Sequence, residues 1–128
     1  MSMPSSSAAP DPSAFVAAML KLPDTGNKGF EGFVRDCLEE LLGQSFRLMK
    51  SGHQHGMDGA NDAPANGLAI GFEGKKYGSR SDVSVAEVQR KISDAAVNID
   101  ALDLWILATT THITRTDLVK FREVGAER

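Results

Sequence analysis

Leu68-Ala69-Ile70-Gly71-Phe72-Glu73-Gly74-Lys75-Lys76 is the stretch on which the fold turns. Leu68, Ile70 and Phe72 alternate with Ala69, Gly71 and Glu73, the period of a strand with one face in the core. On that reading Leu68, Ile70 and Phe72 pack inward. Glu73 and Lys75 share the opposite face with small Ala69 and Gly71, which leave room around them. A carboxylate and an ammonium at the end of a buried strand are costly unless paired or used.

Upstream, Asp58 lies in Gly56-Met57-Asp58-Gly59, and residues 61–67 read as a turn with Pro64 and Asn66-Gly67. The turn folds the Asp58 segment back beside the Glu73 strand. Two adjacent carboxylates repel when both are ionised, and a divalent cation removes that conflict. Hard oxygen ligands suit Mg²⁺, which keeps waters and a substrate phosphate in its shell. Lys75 is placed to orient a nucleophile and to offset charge building on phosphate oxygens.

The rest of the chain supplies helices around this strand. Asp11-Pro12 starts a short helix carrying Phe15, Met19 and Leu22, which ends before Pro23. Phe30, Phe33, Val34, Cys37, Leu38, Leu41 and Leu42 then mark a long helix, with Asn27 as its cap and Gly43 as its end. Residues 45–50 read as a strand, with Phe46 and Leu48 on one face. Ser84-Val85-Ala86-Glu87 is a capping box for a helix with the stripe Val88, Ile92, Ala95, Ala96, Ile99. Leu104 to Ala108 is a continuous apolar run, expected to be a central strand buried on both faces, with Trp105 in the core. Thr114 caps a last helix through Leu118 and Phe121. The order α-α-β-β-β-α-β-α, with a hairpin followed by a helical crossover, predicts an α/β fold with a small mixed sheet flanked by helices.

Composition bounds the function. The 128 residues, 41% of them hydrophobic, suit a single domain over residues 11–128, behind a disordered tail over 1–10. No apolar run nears the roughly 20 residues that cross a bilayer, and no signal peptide is visible, so a cytoplasmic location is the expectation. The single cysteine, Cys37, excludes an internal disulfide and a zinc ribbon; on its apolar stripe it reads as a small buried hydrophobe. The net charge of −3 argues against a general nucleic-acid coat but not against a nuclease. Between residues 75 and 91, Lys75, Lys76, Arg80, Arg90 and Lys91 outnumber Asp82 and Glu87. That stretch is either a solvated face or a set of phosphate contacts.

Asp58 followed by Glu73-Gly74-Lys75 resembles the Asp…Glu-x-Lys signature of the PD-(D/E)XK nucleases. Three further features are similar to the Mrr-type restriction endonucleases. They are Phe30-Glu31 on the long helix, the glycine-rich loop from Ser51-Gly52 to Asp58-Gly59, and the strand ending in Thr109-Thr110-Thr111 before a helix. The resemblance spans about residues 27–121. It departs at Glu73, where the Mrr group often has Gln, and at Met57, which stands where the superfamily's name has Pro. A further core strand usual after the last helix is also missing. What the resemblance implies is a restriction-endonuclease-like fold and Mg²⁺-dependent cleavage of double-stranded DNA, with Mn²⁺ able to substitute. Asp58 and Glu73 would hold the metal and Lys75 would assist. Glu31 would support the site, against the plainer reading of a charge complementing the helix N-terminus. Gln89 would support it from the second long helix, or be an exposed polar residue. A role in bacterial defence against foreign DNA follows by analogy alone.

Other candidates are less defined. Lys76, Arg80, Arg90, Lys91 and His55 are candidate DNA contacts. His53 and His55 with Asp58 suggest a transition-metal site, against the plainer reading of loop histidines. Tyr77 stacks or packs. The apolar run at Leu104 implies a covered edge, supplied by a second copy or by further residues of a longer parent. The rival function is a catalytically silent nuclease fold used for DNA contact or oligomerisation; action on RNA is a third.

Overall fold

A computed structural model describes residues 11–49, 57–62, 67–78, 82–98 and 102–126. The tail over 1–10, His53, His55, Pro64, Arg80 and Ile99 lie outside the described residues. The elements run α1 (Pro12–Leu20), α2 (Phe30–Leu42), β1 (Phe46–Leu48), β2 (Gly59–Asn61), β3 (Ile70–Lys75), α3 (Val85–Asn98), β4 (Leu104–Thr109) and α4 (Arg115–Ala126). None of these helices is long and apolar enough to cross a membrane.

The sheet order is β1-β2-β3-β4, and the fold is α/β. β1 and β2 are antiparallel, as are β2 and β3; β3 and β4 are parallel, joined through α3. This is the mixed sheet that the hairpin and crossover predict. Asn61, read from sequence as part of the turn, instead closes β2. Its Oδ1 accepts from the Ile70 N–H at 2.8 Å, and its Nδ2 donates to the Leu68 carbonyl at 2.9 Å and to Gln44 at 2.7 Å. A buried amide satisfied on both sides fixes the hairpin register.

α2 lies on one face of the sheet. Phe30, Val34 and Leu38 meet Phe46, Ile70 and Phe72 there, and Phe72 is fully buried. On the opposite face Val88 of α3 lines a cleft with Trp105 and Leu107, and Met57 lies over β3. Met57 occupies the space over Gly71, where a Cβ would collide with its sulfur.

Four expectations are corrected. Asn27 does not cap α2. The N-cap is Gly29, with no side-chain cap, because the preceding loop folds over the helix start. There Phe30, Glu31 and Gly32 donate to the carbonyls of Pro23, Asp24 and Gly26, satisfying N–H groups a cap would otherwise serve. Gly32 permits that approach, since a Cβ would strike the Asn27 backbone. Leu68 precedes β3 and is 56% exposed rather than core. β4 is the outer strand, pairing with β3 alone among the described residues; Leu104 is exposed and Trp105 half-buried. Cys37 is half-buried, and Leu41 and Leu42 are exposed, so the α2 stripe is buried only as far as Leu38.

Candidate functional site

The N-terminus of α2, the residue before β2 and the end of β3 converge on one cleft of about 150 Å³, lined by Glu31, Asp58, Glu73, Lys75, Asp24 and Thr25 among others. Four residues singled out in the sequence therefore share one wall. Each arrives by a different route. Glu31 is in the first turn of α2, and its Oε1 accepts from the Gly26 N–H at 3.3 Å. Asp58 is strapped between two strands: its N–H donates to the Phe72 carbonyl and its carbonyl accepts from Met49, both at 2.7 Å. Its Oδ2 accepts from the Gly74 N–H at 2.7 Å, which aims the carboxylate along β3. Glu73 and Lys75 follow from the strand period.

Three acids are buried here, with 6%, 3% and 6% exposure for Glu31, Asp58 and Glu73. Burial, a hydrogen bond to Asp58 and the Asp58 charge push Glu31 up to about 7. Burial and the Asp58 charge push Glu73 up to about 7, against the opposing pull of Lys91 and Lys75. Burial raises Asp58 as well, although the Gly74 N–H works to hold it down. Glu73 Oε2 is buried without a hydrogen-bond partner among the described residues. Such an atom carries the full cost of desolvation.

The cationic side chains are already engaged. Lys75 Nζ lies 2.8 Å from Glu87 Oε1, and Lys91 Nζ lies 3.5 Å from Glu73 Oε1. Their pairing holds Glu87 below the usual carboxylate range and raises Lys75. Lys76, expected at phosphate, turns inward. It pairs with Asp24 at 3.0 Å and donates to the Leu20 and Leu22 carbonyls at the end of α1. Arg90 is exposed. Gln89 is half-buried on α3 and lines neither this cleft nor the adjoining one under Trp105, which Glu87 and Lys91 do line. Tyr77 is half-buried, and its backbone brackets the Thr110 hydroxyl at 2.9 Å on both sides.

Glu87, a capping-box acid by sequence, and Lys91, a candidate DNA contact by sequence, instead pair with Lys75 and Glu73 of β3, a role the sequence does not reveal. Their four-residue spacing puts both on one face of α3, a signal that acquires meaning once that face meets β3.

Among the described residues no three His, Cys, Asp or Glu side chains form a group arranged to hold a metal ion. Mg²⁺ asks for less, one or two carboxylates with water completing the shell. Two nine-tenths-buried carboxylates and an unpartnered oxygen on a shared cleft fit that demand.

A stability prediction follows from the acids. Glu31 and Glu73 hold protons in the folded chain up to about 7, whereas the unfolded chain releases them near 4.5. Their contribution is fully present below the unfolded value and is lost as pH rises through the folded one. With chelator present, stability should fall by roughly 1–3 kcal/mol from about pH 5 to about pH 8, and the melting temperature should fall with it. Calorimetry that found melting flat or rising across that window would contradict the burial of these acids.

No family model matches the chain, and no curated protein or solved structure matches it.

Proposed function

We propose that the chain is a Mg²⁺-dependent endonuclease of restriction-endonuclease-like fold, hydrolysing phosphodiester bonds in double-stranded DNA. The observation that carries this reading is the meeting of Asp58, Glu73 and Lys75 at one cleft, with a buried Glu73 oxygen left unpartnered. The small mixed sheet with helices around it is consistent with this reading.

Asp58 and Glu73 would hold the cation, with Mn²⁺ able to replace Mg²⁺. Bound there, it supplies Lewis acidity and a lowered pKa for water at the scissile phosphate. The Gly74 N–H keeps Asp58 oriented. Glu31 holds or returns a proton beside Asp58. Lys75, the nearest ammonium along β3, would orient the attacking water and offset charge on the phosphate. Arg90 is an exposed candidate for phosphate contact. Defence against foreign DNA in a bacterial cytoplasm is the setting the resemblance suggests.

The outer edge of β4 is the surface we assign to a second copy or to further residues of a longer parent. Bare strand edges invite pairing. Light scattering across a concentration series should find a dimer if a second copy covers it.

One observation favours the silent alternative: Lys75 is held by Glu87 rather than facing the cleft unopposed. Supercoiled plasmid cleavage separates the two. With Mg²⁺ the parent should nick or linearise the plasmid, with chelator it should not, and Lys75→Ala should be slower by roughly 100- to 1000-fold. Absence of cleavage with either Mg²⁺ or Mn²⁺ would leave the silent module standing, and cleavage indifferent to chelator would sink the metal reading.

A further inference from the structure

α3 presents two opposite charges, one helical turn apart, to two opposite charges on β3. The pairs are crossed: Glu87 takes Lys75 at 2.8 Å, and Lys91 takes Glu73 at 3.5 Å. Neither β3 residue is paired with the other. Lys91 is only about a quarter exposed, and its charge also acts on Asp58. It occupies one oxygen of Glu73 and leaves the other unpartnered.

We propose that Lys91 is a built-in counter-ion of the carboxylate cluster that sets its affinity for divalent cations, and that Glu87 is a positioning residue that offsets Lys75, whose charge opposes a cation at the same carboxylates. This rests on the metal reading of Asp58 and Glu73. An ammonium beside a ligand carboxylate repels an arriving dication at short range in a partly dry cleft, where charges interact more strongly than in water. Lys91 therefore weakens cation binding while keeping the empty cluster from flying apart. Glu87 does the reverse. Held against Lys75 at 2.8 Å, its negative charge offsets a second positive charge that also acts on Glu73 and Asp58.

The two residues thus have opposite signs although they share a helix face. A purely structural role, in which each pair simply pins α3 to the sheet, gives the same sign for both. Mn²⁺ titration of the full chain without DNA, read by the electron paramagnetic resonance signal of the free ion at about pH 8, tells them apart. Lys91→Gln should bind Mn²⁺ roughly tenfold more tightly than the parent. Lys91→Arg should stay near the parent, and Glu87→Gln should bind several-fold more weakly. Lys91→Gln binding no more tightly than the parent, or Glu87→Gln binding as tightly or more so, would overturn the inference. Should Lys91→Gln fail to fold, Glu87→Gln decides alone by the same criterion. Asp58→Ala separates the two levels: if it binds Mn²⁺ like the parent, or the parent shows no saturable binding, the metal site itself is wrong and the inference falls with it. If Asp58→Ala loses binding while Lys91→Gln is neutral, only the role of Lys91 falls.

Discussion

Asp58→Ala and Glu73→Ala should each lower Mg²⁺-dependent DNA cleavage by roughly a thousandfold or more, about 4 kcal/mol of transition-state stabilisation. The fold should survive both. The reasoning differs for the two residues. Among the described residues, Asp58 alone of the pair has a carboxylate that accepts a backbone hydrogen bond, from the Gly74 N–H at 2.7 Å. Alanine leaves that donor to find water, and a modest loss of stability of about 1 kcal/mol accompanies the loss of activity. Asp58→Asn keeps an oxygen for Gly74 and should melt close to the parent while remaining inactive. Glu73 is the opposite case. One of its oxygens is buried without a partner, and its charge is opposed by Asp58. Removing that charge in Glu73→Gln should leave melting unchanged or raise it. Activity lost with stability kept or gained is the mark of a residue retained for its chemistry. Either alanine variant cutting at the parent rate, under conditions where circular dichroism shows it folded, would mean the site is elsewhere.

Phe72→Ala should be the most damaging single truncation, costing about 3–5 kcal/mol. That is a large share of the roughly 5–15 kcal/mol a domain commands, and the variant should be substantially unfolded at 37 °C. Phe72 has no exposed surface and sits at the centre of β3. Its ring meets Phe46 edge-on, with centroids 6.1 Å apart, and fills the space beside Gly59. Deleting it leaves a cavity among Phe30, Val34, Leu38 and Phe46, held open by a helix on one side and a strand on the other. Leu68→Ala is the control. Leu68 shares the sequence pattern of Phe72, yet it is mostly exposed and should cost under about 0.5 kcal/mol. Urea denaturation that found the two equal would contradict this packing.

That contrast says what the sequence could and could not carry. The alternation of Ile70, Phe72 and Gly71, Glu73 placed the faces of β3 correctly, because a period of two is a local property. It could not say where the strand begins, and Leu68 fell outside. The helical period of α2 was equally local, but its cap was not. The loop carbonyls of Pro23, Asp24 and Gly26 took the place of Asn27, an arrangement made by a backbone approach at Gly32. Asn61 read as a turn residue because Asn favours turns; only the hairpin reveals that its amide serves Ile70, Leu68 and Gln44. The apolar run from Leu104 to Ala108 looked central. A strand at the edge of the described sheet can have the same apolar composition as one in mid-sheet. Within the site, Asp58, Glu73 and Lys75 were legible because the hairpin alone brings them together. Glu87 and Lys91 were not, since their meeting with β3 depends on how α3 is rotated against the sheet.

If the buried carboxylates of Asp58 and Glu73 form a cation site, metal-linked melting should show it. At about pH 8, a cation bound with millimolar affinity and present at about ten times that level stabilises the fold by about 1.4 kcal/mol, a shift of several degrees in a domain of this size. The parent melted in Mg²⁺ should show that rise over the parent melted in chelator, and Glu73→Gln should show none. A parent indifferent to Mg²⁺ and Mn²⁺, or a Glu73→Gln variant stabilised as much as the parent, would mean that these carboxylates hold no cation.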